Sequence, residues 1–277
     1  MTPTTYLSPA VRMPRSALAL KAASIFWFIT VVIGQSLFVA YILSLYGGPT
    51  VTGHFEGWSR NTGLFNGYVA GDFTGNAMFG AHMMGAALIT LGGTLQLIPQ
   101  IRTHARTFHR WNGRVYMVTA CVMALGGLYL VWVRGGYFHI PGALAISLNA
   151  VLILAFAFLT LKHAIARNIA VHQRWALRLF IVVSGVWFIR VGLMGWIIIN
   201  QGPVGMTSNM DGWFDYFWVV GSYLLPLAIL ELYLRARATG SALHKYAVAG
   251  LVTLATLVMA VGIFGAYMFM WKAYLWP

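Results

Sequence analysis

The chain has 277 residues, of which 60% are hydrophobic and only 8% are charged, and its mean hydropathy is +0.75. Soluble domains carry about 25% charged residues, so this composition excludes a water-soluble globular protein and predicts a polytopic membrane protein. The net charge of +13 does not indicate nucleic-acid binding, because the basic residues collect between apolar segments, where they set membrane topology.

Seven runs of about 20 apolar residues are long enough to cross a bilayer as helices. In chain order they cover residues 17–45, 77–98, 115–133, 142–161, 175–200, 214–234 and 246–271. Backbone polar groups inside lipid must be bonded within the protein, and the alternating strands of a barrel are missing from the pattern. The sequence therefore predicts an all-α fold: one integral membrane domain over residues 1–277, a bundle of seven transmembrane helices whose first helix is a retained anchor.

The basic residues predict the orientation of this bundle. With the N-terminus inside and the C-terminus outside, the outer connections hold only Arg60, Arg134 and Lys272. The inner side then holds fourteen basic residues: Arg12, Arg15, Lys21, Arg102, Arg106, Arg110, Arg114, Lys162, Arg167, Arg174, Arg178, Arg235, Arg237 and Lys245. This bias follows the positive-inside rule and favours contact with the anionic headgroups of the lipid bilayer.

The longest predicted connection, residues 47–76, lies on the outer side. It is rich in glycine and carries the aromatic residues Trp58, Phe65, Tyr68 and Phe73. These residues either form an aromatic belt in the membrane interface or cover an outer binding site, since long loops are often functional. The sequence leaves both interpretations open.

Two stretches of the chain are similar to each other, and each begins and ends with a histidine. HMMGA at His82 matches HIPGA at His139, and HRWNGR at His109 matches HQRWALR at His172. The predicted topology puts one histidine on each of helices two to five, with His82 and His139 outside and His109 and His172 inside. This pattern predicts a duplicated four-helix core over about residues 77–200, built from helices 2–3 and 4–5 and flanked by helices 17–45, 214–234 and 246–271.

Paired histidines on facing helices suit a b-type haem, because neutral imidazoles can ligate the iron from both sides and a bundle provides apolar walls. Sites at two depths would let electrons cross the bilayer. The alternative is that these histidines are amphipathic anchors at the interface, and the duplication alone does not decide between the two.

The order of the four histidines resembles that of the cytochrome b561 family, whose members are transmembrane electron carriers with two haems. The resemblance covers about residues 77–200. It implies that His82 pairs with His139 outside, and that His109 pairs with His172 inside, as ligands of two b-type haems.

A longer stretch of the chain is similar to a bacterial family of uncharacterised predicted membrane proteins. The shared patterns run from His82 to Gln96, from His109 to Tyr116 and from His172 to Arg178. This similarity implies a multi-pass protein of the bacterial inner membrane, and it carries no activity.

Three arginines are further candidates for cofactor binding. Arg190 is the basic residue that lies well inside a predicted helix, where a charge is costly and usually functional; it could hold a haem propionate, a quinone oxygen or an anionic substrate. Its structural alternative is a salt bridge to Asp72 or Asp211. Arg114 and Arg178 either anchor the interface or hold the propionates of the inner haem.

Glu231 precedes Arg235 by four residues on the sixth predicted helix, so these two side chains are expected to neutralise each other. Cys121 is the only cysteine, which excludes an intrachain disulfide and a cysteine zinc cluster.

The leading prediction is a transmembrane electron-transfer protein, an oxidoreductase of the cytochrome b type. It would pass electrons between a quinol or other reductant and a redox partner protein. Two alternatives from other classes stay open. One is a transporter or channel-like bundle with a polar path through Arg190, and the other is a cofactor-free scaffold or assembly protein.

Overall fold

The computed structural model of the protein describes residues 13–60, 67–135, 139–238 and 241–275. Every regular element in these ranges is helical, which confirms the predicted all-α class. The main helices are α1 (Arg15–Ile42), α2 (Phe73–Leu97), α3 (Arg106–Trp132), α4 (Ile140–Ile165), α5 (Ile169–Val183), α6 (Gly185–Ile199), α7 (Trp213–Ala238) and α8 (Ala242–Ala266). Six helical segments of the described chain are long and apolar enough to cross a membrane, and there are seven if α5 and α6 form one bent span.

Several helices extend beyond the predicted apolar runs. α3 begins at Arg106 rather than at residue 115, because arginine and other polar residues continue a helix well although they end a hydropathy peak. α1 and α8 continue through single π-helical turns, Leu43–Gly47 and Tyr267–Trp271.

Side-chain caps fix the starts of three of the main helices. Asp72, Asn168 and Ser241 each accept a hydrogen bond from the backbone N–H three residues later. Such caps satisfy N–H groups that have no partner within the helix.

The helix ends form two faces of the bundle. What we call the basic face contains the starts of α1, α3, α5 and α8, with most of the lysine and arginine residues that the structure describes. The opposite face contains the starts of α2, α4 and α7 and the end of α6. Arg12, one of the residues behind the orientation, lies outside the described ranges, and the inside location of the N-terminus stays a prediction.

α2 to α5 pack in chain order, each against the next, around a small-residue core that includes Ala120, Ala150 and Leu179. The group closes through Gly93 on α2, since a Cβ there would lie 3.0 Å from the ring of Tyr116 on α3 and 3.2 Å from that of Phe180 on α5. α3 and α5 are therefore diagonal members of a four-helix group in the basic half.

The fifth span breaks at Ser184, with an angle of 54° between α5 and α6. A serine followed by a glycine is a common site of such kinks, and the Ser184 hydroxyl accepts a hydrogen bond from Gln35 Nε2 on α1 (3.0 Å). After the break, α6 packs mainly on α8 and α7. The last part of the predicted 77–200 core therefore lies against the flanking helices in the opposite half.

The described part of the 47–76 connection folds back onto the bundle. Trp58 is 5% exposed, and its indole N–H donates to the carbonyl of Tyr46 (3.3 Å) and to Thr50 Oγ1 (3.2 Å). Phe73 is 86% exposed, as expected of an interfacial aromatic, and Phe65 lies outside the described residues. Trp58 is thus a packing residue and not part of a lipid-facing belt.

Candidate functional site

His109 and His172 occupy equivalent positions in the basic half. Each is the fourth residue of its helix, α3 for His109 and α5 for His172, so both lie about one turn from the basic face. The predicted inner pair therefore lies at one depth, on diagonal helices of the four-helix group.

The hydrogen bonds of His172 determine which of its nitrogens can bind a metal. His172 Nδ1 lies 3.0 Å from the carbonyl oxygen of Thr160 on α4. A carbonyl only accepts, so Nδ1 carries the proton and the lone pair stays on Nε2. A histidine held in this way by a backbone carbonyl is oriented as metal-ligating histidines usually are.

His109 has the complementary feature of a buried nitrogen without a partner. Its Nδ1 is buried and makes no hydrogen bond to the described residues, and the same holds for the hydroxyl of Tyr116, two turns further along α3. The start of α3 is fixed by Gln96, which donates to the His109 carbonyl (3.0 Å), and by Asn112, which donates to the Gly92 carbonyl (2.9 Å). The basic half therefore combines a rigid backbone with unpaired polar side-chain atoms.

The two arginines predicted to hold inner propionates differ. Arg178 is 18% exposed and forms a bidentate pair with Glu231 on α7, with Nε–Oε1 at 2.6 Å and Nη2–Oε2 at 2.9 Å. Glu231 thus pairs across helices with Arg178. The expected pair with Arg235 was wrong. Arg114 is exposed, lies over the ring of Trp111 at 4.7 Å and keeps its donors available at the basic face.

The predicted outer pair is arranged less favourably. The ring of His82 lies beside Gly126 and Gly127 of α3, with its Nδ1 buried and lacking a partner among the described residues. Gly126 lies six residues before the end of α3, which puts His82 about 9 Å below the opposite face. His139 is the N-cap residue of α4 at that face.

A loop engages His139 at this face. His139 Nε2 lies 3.0 Å from the carbonyl oxygen of Asn209 and 3.8 Å from Asp211 Oδ2, both in the connection between α6 and α7. The proton on this ring is therefore on Nε2, the nitrogen that points to the loop. The lone pair of this ring is on Nδ1, so His139 could ligate an iron through Nδ1, or through Nε2 after leaving this bond.

Arg190 lies in the opposite half on α6, with its guanidinium carbon 5.4 Å from the ring centroid of Phe38 on α1. It is close enough to the His82 ring to interact with it electrostatically. The predicted salt bridges are not formed, because Asp72 pairs with Arg134 (3.2 Å) and Asp211 accepts a hydrogen bond from the Thr207 hydroxyl.

A polar group at the centre of the bundle was not predicted from the sequence. Gln35 is 2% exposed and bonds to Ser184 at the α5–α6 break through its Nε2, while its Oε1 has no partner among the described residues. On the other side of the break, the amide nitrogen of Asn149 lies 3.1 Å from the place where a Cβ on Gly185 would be. Lone Gln and Asn residues in the middle of apolar runs were the available signal.

Comparison with known families gives a match over residues 79–229, from α2 into α7, to a family described as predicted membrane protein (DUF2306). The chain belongs to this family. No curated protein and no solved structure matches it, so the cytochrome b561 resemblance stays an expectation. The family supplies a multi-pass membrane architecture and leaves the activity to be argued from the site.

All four histidines and the three arginines of the candidate site lie inside the matched region. Gln35 and Phe38 on α1 lie outside it, although they contact the matched helices. The described residues hold no group of three or more His, Cys, Asp or Glu side chains that could bind a metal ion. A haem iron needs only two axial side chains from the protein, so the histidine pair is the relevant donor set.

Proposed function

We propose that this protein is a membrane electron-transfer protein that binds a b-type haem between His109 and His172 in its basic half. The observation that supports the proposal is the state of the two imidazoles. His172 has its Nδ1 bonded to Thr160 and its Nε2 lone pair available, and the His109 ring has a buried nitrogen without a partner. Each histidine lies in the first turn of its helix, and the two helices are diagonal members of the four-helix group.

The surrounding residues fit such a group. The Thr160 carbonyl orients His172 and raises its basicity as a ligand, and α2 to α5 provide apolar residues around the half-buried rings. Arg114 has free donors at the basic face, where a propionate would emerge, whereas Arg178 has them only if its pair with Glu231 opens. A bound haem would supply one-electron transfer, between a quinol or other reductant and a redox partner protein.

A second b-type haem between His82 and His139 would complete a path across the bilayer. It requires His139 to ligate the iron through Nδ1, or to give up its Nε2 bond to Asn209, with Arg190 available for a propionate. We therefore assign the first haem to the basic half and the second, as a separate step of the proposal, to the opposite half.

The proposal is tested by the haem content of the detergent-purified full chain from haem-replete cells. A reduced-minus-oxidised spectrum and a pyridine haemochrome assay should give at least one b-type haem per chain. His109→Ala and His172→Ala should each lose it, while the control His104→Ala, an exposed histidine near the same face, should keep it. If the wild type binds a second haem that His82→Ala and His139→Ala each lose, the outer haem site is supported as well. A colourless wild-type protein would contradict the whole proposal.

A second candidate function, transport through the bundle, is favoured by the broken fifth span. Discontinuous helices with polar groups at mid-membrane are typical of transporter binding sites. Here the break contains Ser184, and Gln35 on α1 and Asn149 on α4 lie beside it. Vesicles containing the protein should then take up a small carboxylate such as lactate, and Arg190→Gln should abolish the uptake. A protein with neither haem nor flux would leave the third class, a cofactor-free scaffold.

A further inference from the structure

Arg190 forms no ion pair with any acidic side chain of the described chain. The sequence contains five acidic residues, and all five lie in the described ranges. Glu56 is exposed in the helical turn Phe55–Arg60 at the opposite face. Each of the remaining four has another partner: Asp72 has Arg134, Asp211 has Thr207, Asp215 has the N–H groups of Thr207 and Gly212, and Glu231 has Arg178. None of the five forms an ion pair with Arg190, so its guanidinium is not neutralised by an acidic side chain of this chain.

The Arg190 guanidinium points toward the middle of the membrane. Its Nη1 donates to the carbonyl of Val186 (3.0 Å), which lies one turn closer to the break at Ser184. An arginine that snorkels to the headgroups would point away from the centre, toward the end of α6 at Ile199, nine residues and about 13 Å further on. The orientation therefore does not fit an interface anchor.

The other donors of this guanidinium face a partly polar environment. One N–H donates to the Val186 carbonyl, and no other donates a hydrogen bond to a residue that the structure describes, although a guanidinium has five N–H groups. The guanidinium carbon lies 5.4 Å from the ring centroid of Phe38 on α1. On α2, the His82 ring has a buried Nδ1 without a partner among the described residues, and its charged form is disfavoured by Arg190.

We propose that Arg190 and His82 form a binding site for a monoanionic carboxylate that is attached to an apolar body. A planar carboxylate matches the fork of a guanidinium with two parallel hydrogen bonds. Its single negative charge balances the single positive charge, whereas a dianionic phosphate would leave an excess charge inside the membrane. The apolar body is required because the site lies at membrane depth beside Phe38.

Two sources have this chemistry: a free fatty acid from the bilayer, and the propionate of a haem bound at His82. For the haem source, the proposal rests on the second haem proposed at His82; for the fatty acid it stands alone, and neither source uses a residue of the haem site in the basic half. Loss of haem at His109 and His172 would leave the Arg190 site intact, so the two proposals can fail separately.

The test uses oleate as the probe and the full chain in a non-ionic detergent. Oleate at ten times its dissociation constant should raise the thermal midpoint of the wild type by about 4 °C, and oleyl alcohol, which has the same chain without the charge, should not. Arg190→Gln should lose the oleate effect and Arg190→Lys should keep part of it. The control Arg60→Gln removes an arginine whose hydrogen bonds to the described residues also go to backbone carbonyls, and this variant should respond like the wild type.

Haem content separates the two sources. If the carboxylate belongs to a haem, Arg190→Gln should lower the haem bound per chain, and oleate should stabilise only protein from haem-deprived cells. If it belongs to a fatty acid, the haem count should not change and oleate should act on both preparations. The proposal would be overturned if oleate and oleyl alcohol stabilised the wild type equally, or if oleate stabilised neither preparation. Both outcomes are measured on the wild type, so they hold even if Arg190→Gln does not fold.

Discussion

The contact between α6 and α8 gives the sharpest prediction about the fold, because a single methyl group tests it. A Cβ on Gly262 of α8 would lie 2.1 Å from the carbonyl oxygen of Val191 on α6 and 2.8 Å from Val191 Cγ1. The matched control is Gly250 on the same helix, which is exposed and where a Cβ would meet nothing within 4 Å. We expect Gly262→Ala to destabilise the protein and Gly250→Ala to leave it unchanged or more stable.

The size of the effect follows from these distances. Ordinary contact begins near 3.4 Å, so the two helices must separate by about 1 Å, since a backbone oxygen cannot rotate away. Overpacking of this kind costs about 1–3 kcal/mol, whereas replacing a helical glycine by alanine gains up to about 1 kcal/mol. The two variants should therefore differ by about 2 kcal/mol in the free energy of unfolding, or about 4–8 °C in thermal midpoint.

The assay is thermal unfolding of both variants in the same detergent, followed by the fluorescence of the eleven tryptophans. Val191 is next to Arg190, so Gly262→Ala should also weaken oleate binding, and Gly250→Ala should not. Equal midpoints for the two variants would refute the packing of α6 on α8, and with it the reason why α6 leaves the four-helix group.

The remaining predictions concern polar contacts, each measured by the same unfolding assay. Arg178→Gln and Glu231→Gln should each cost about 1–2 kcal/mol, with a coupling of about 1 kcal/mol in the double variant because the pair is only partly buried; additive losses would contradict the pair. Trp58→Phe should cost about 1 kcal/mol because it removes the indole donor to Tyr46, and an unchanged midpoint would count against that contact. Asp72→Ala should cost about 1–2 kcal/mol, as it removes the α2 cap and the partner of Arg134, and it should leave the haem content unchanged.

The helical class and a count of six or seven apolar helices could be predicted because they depend on local properties. An apolar run of about 20 residues satisfies its backbone only as a helix in lipid, whatever its neighbours are. The same holds for the level of His109 and His172, since the position of a residue within its own helix fixes its depth. The helix starts differed from the prediction where polar residues such as those from Arg106 onward continue a helix outside the apolar layer.

Partners between helices could not be predicted, because they depend on how each helix is rotated and tilted. The spacing of Glu231 and Arg235 favoured a local pair, but α5 packs against α7 and brings Arg178 to Glu231 with both hydrogen bonds of the fork. His139 matched His82 in the duplicated pattern, yet the α6–α7 connection binds its ring at the face. Charge and spacing specify which contacts are available, and packing selects among them.

The break at Ser184 has the largest effect on the candidate site and has the weakest signal in the sequence. A continuous run from 175 to 200 predicts one straight helix, and a serine followed by a glycine in it only permits a bend. The bend is produced by tertiary contacts, namely the bond from Gln35 to Ser184 and the close approach of Gly195 to Gly262. These contacts place α6 against α1 and α8, where no acidic side chain of the described residues pairs with Arg190. A helix direction set by packing is not encoded in any single segment.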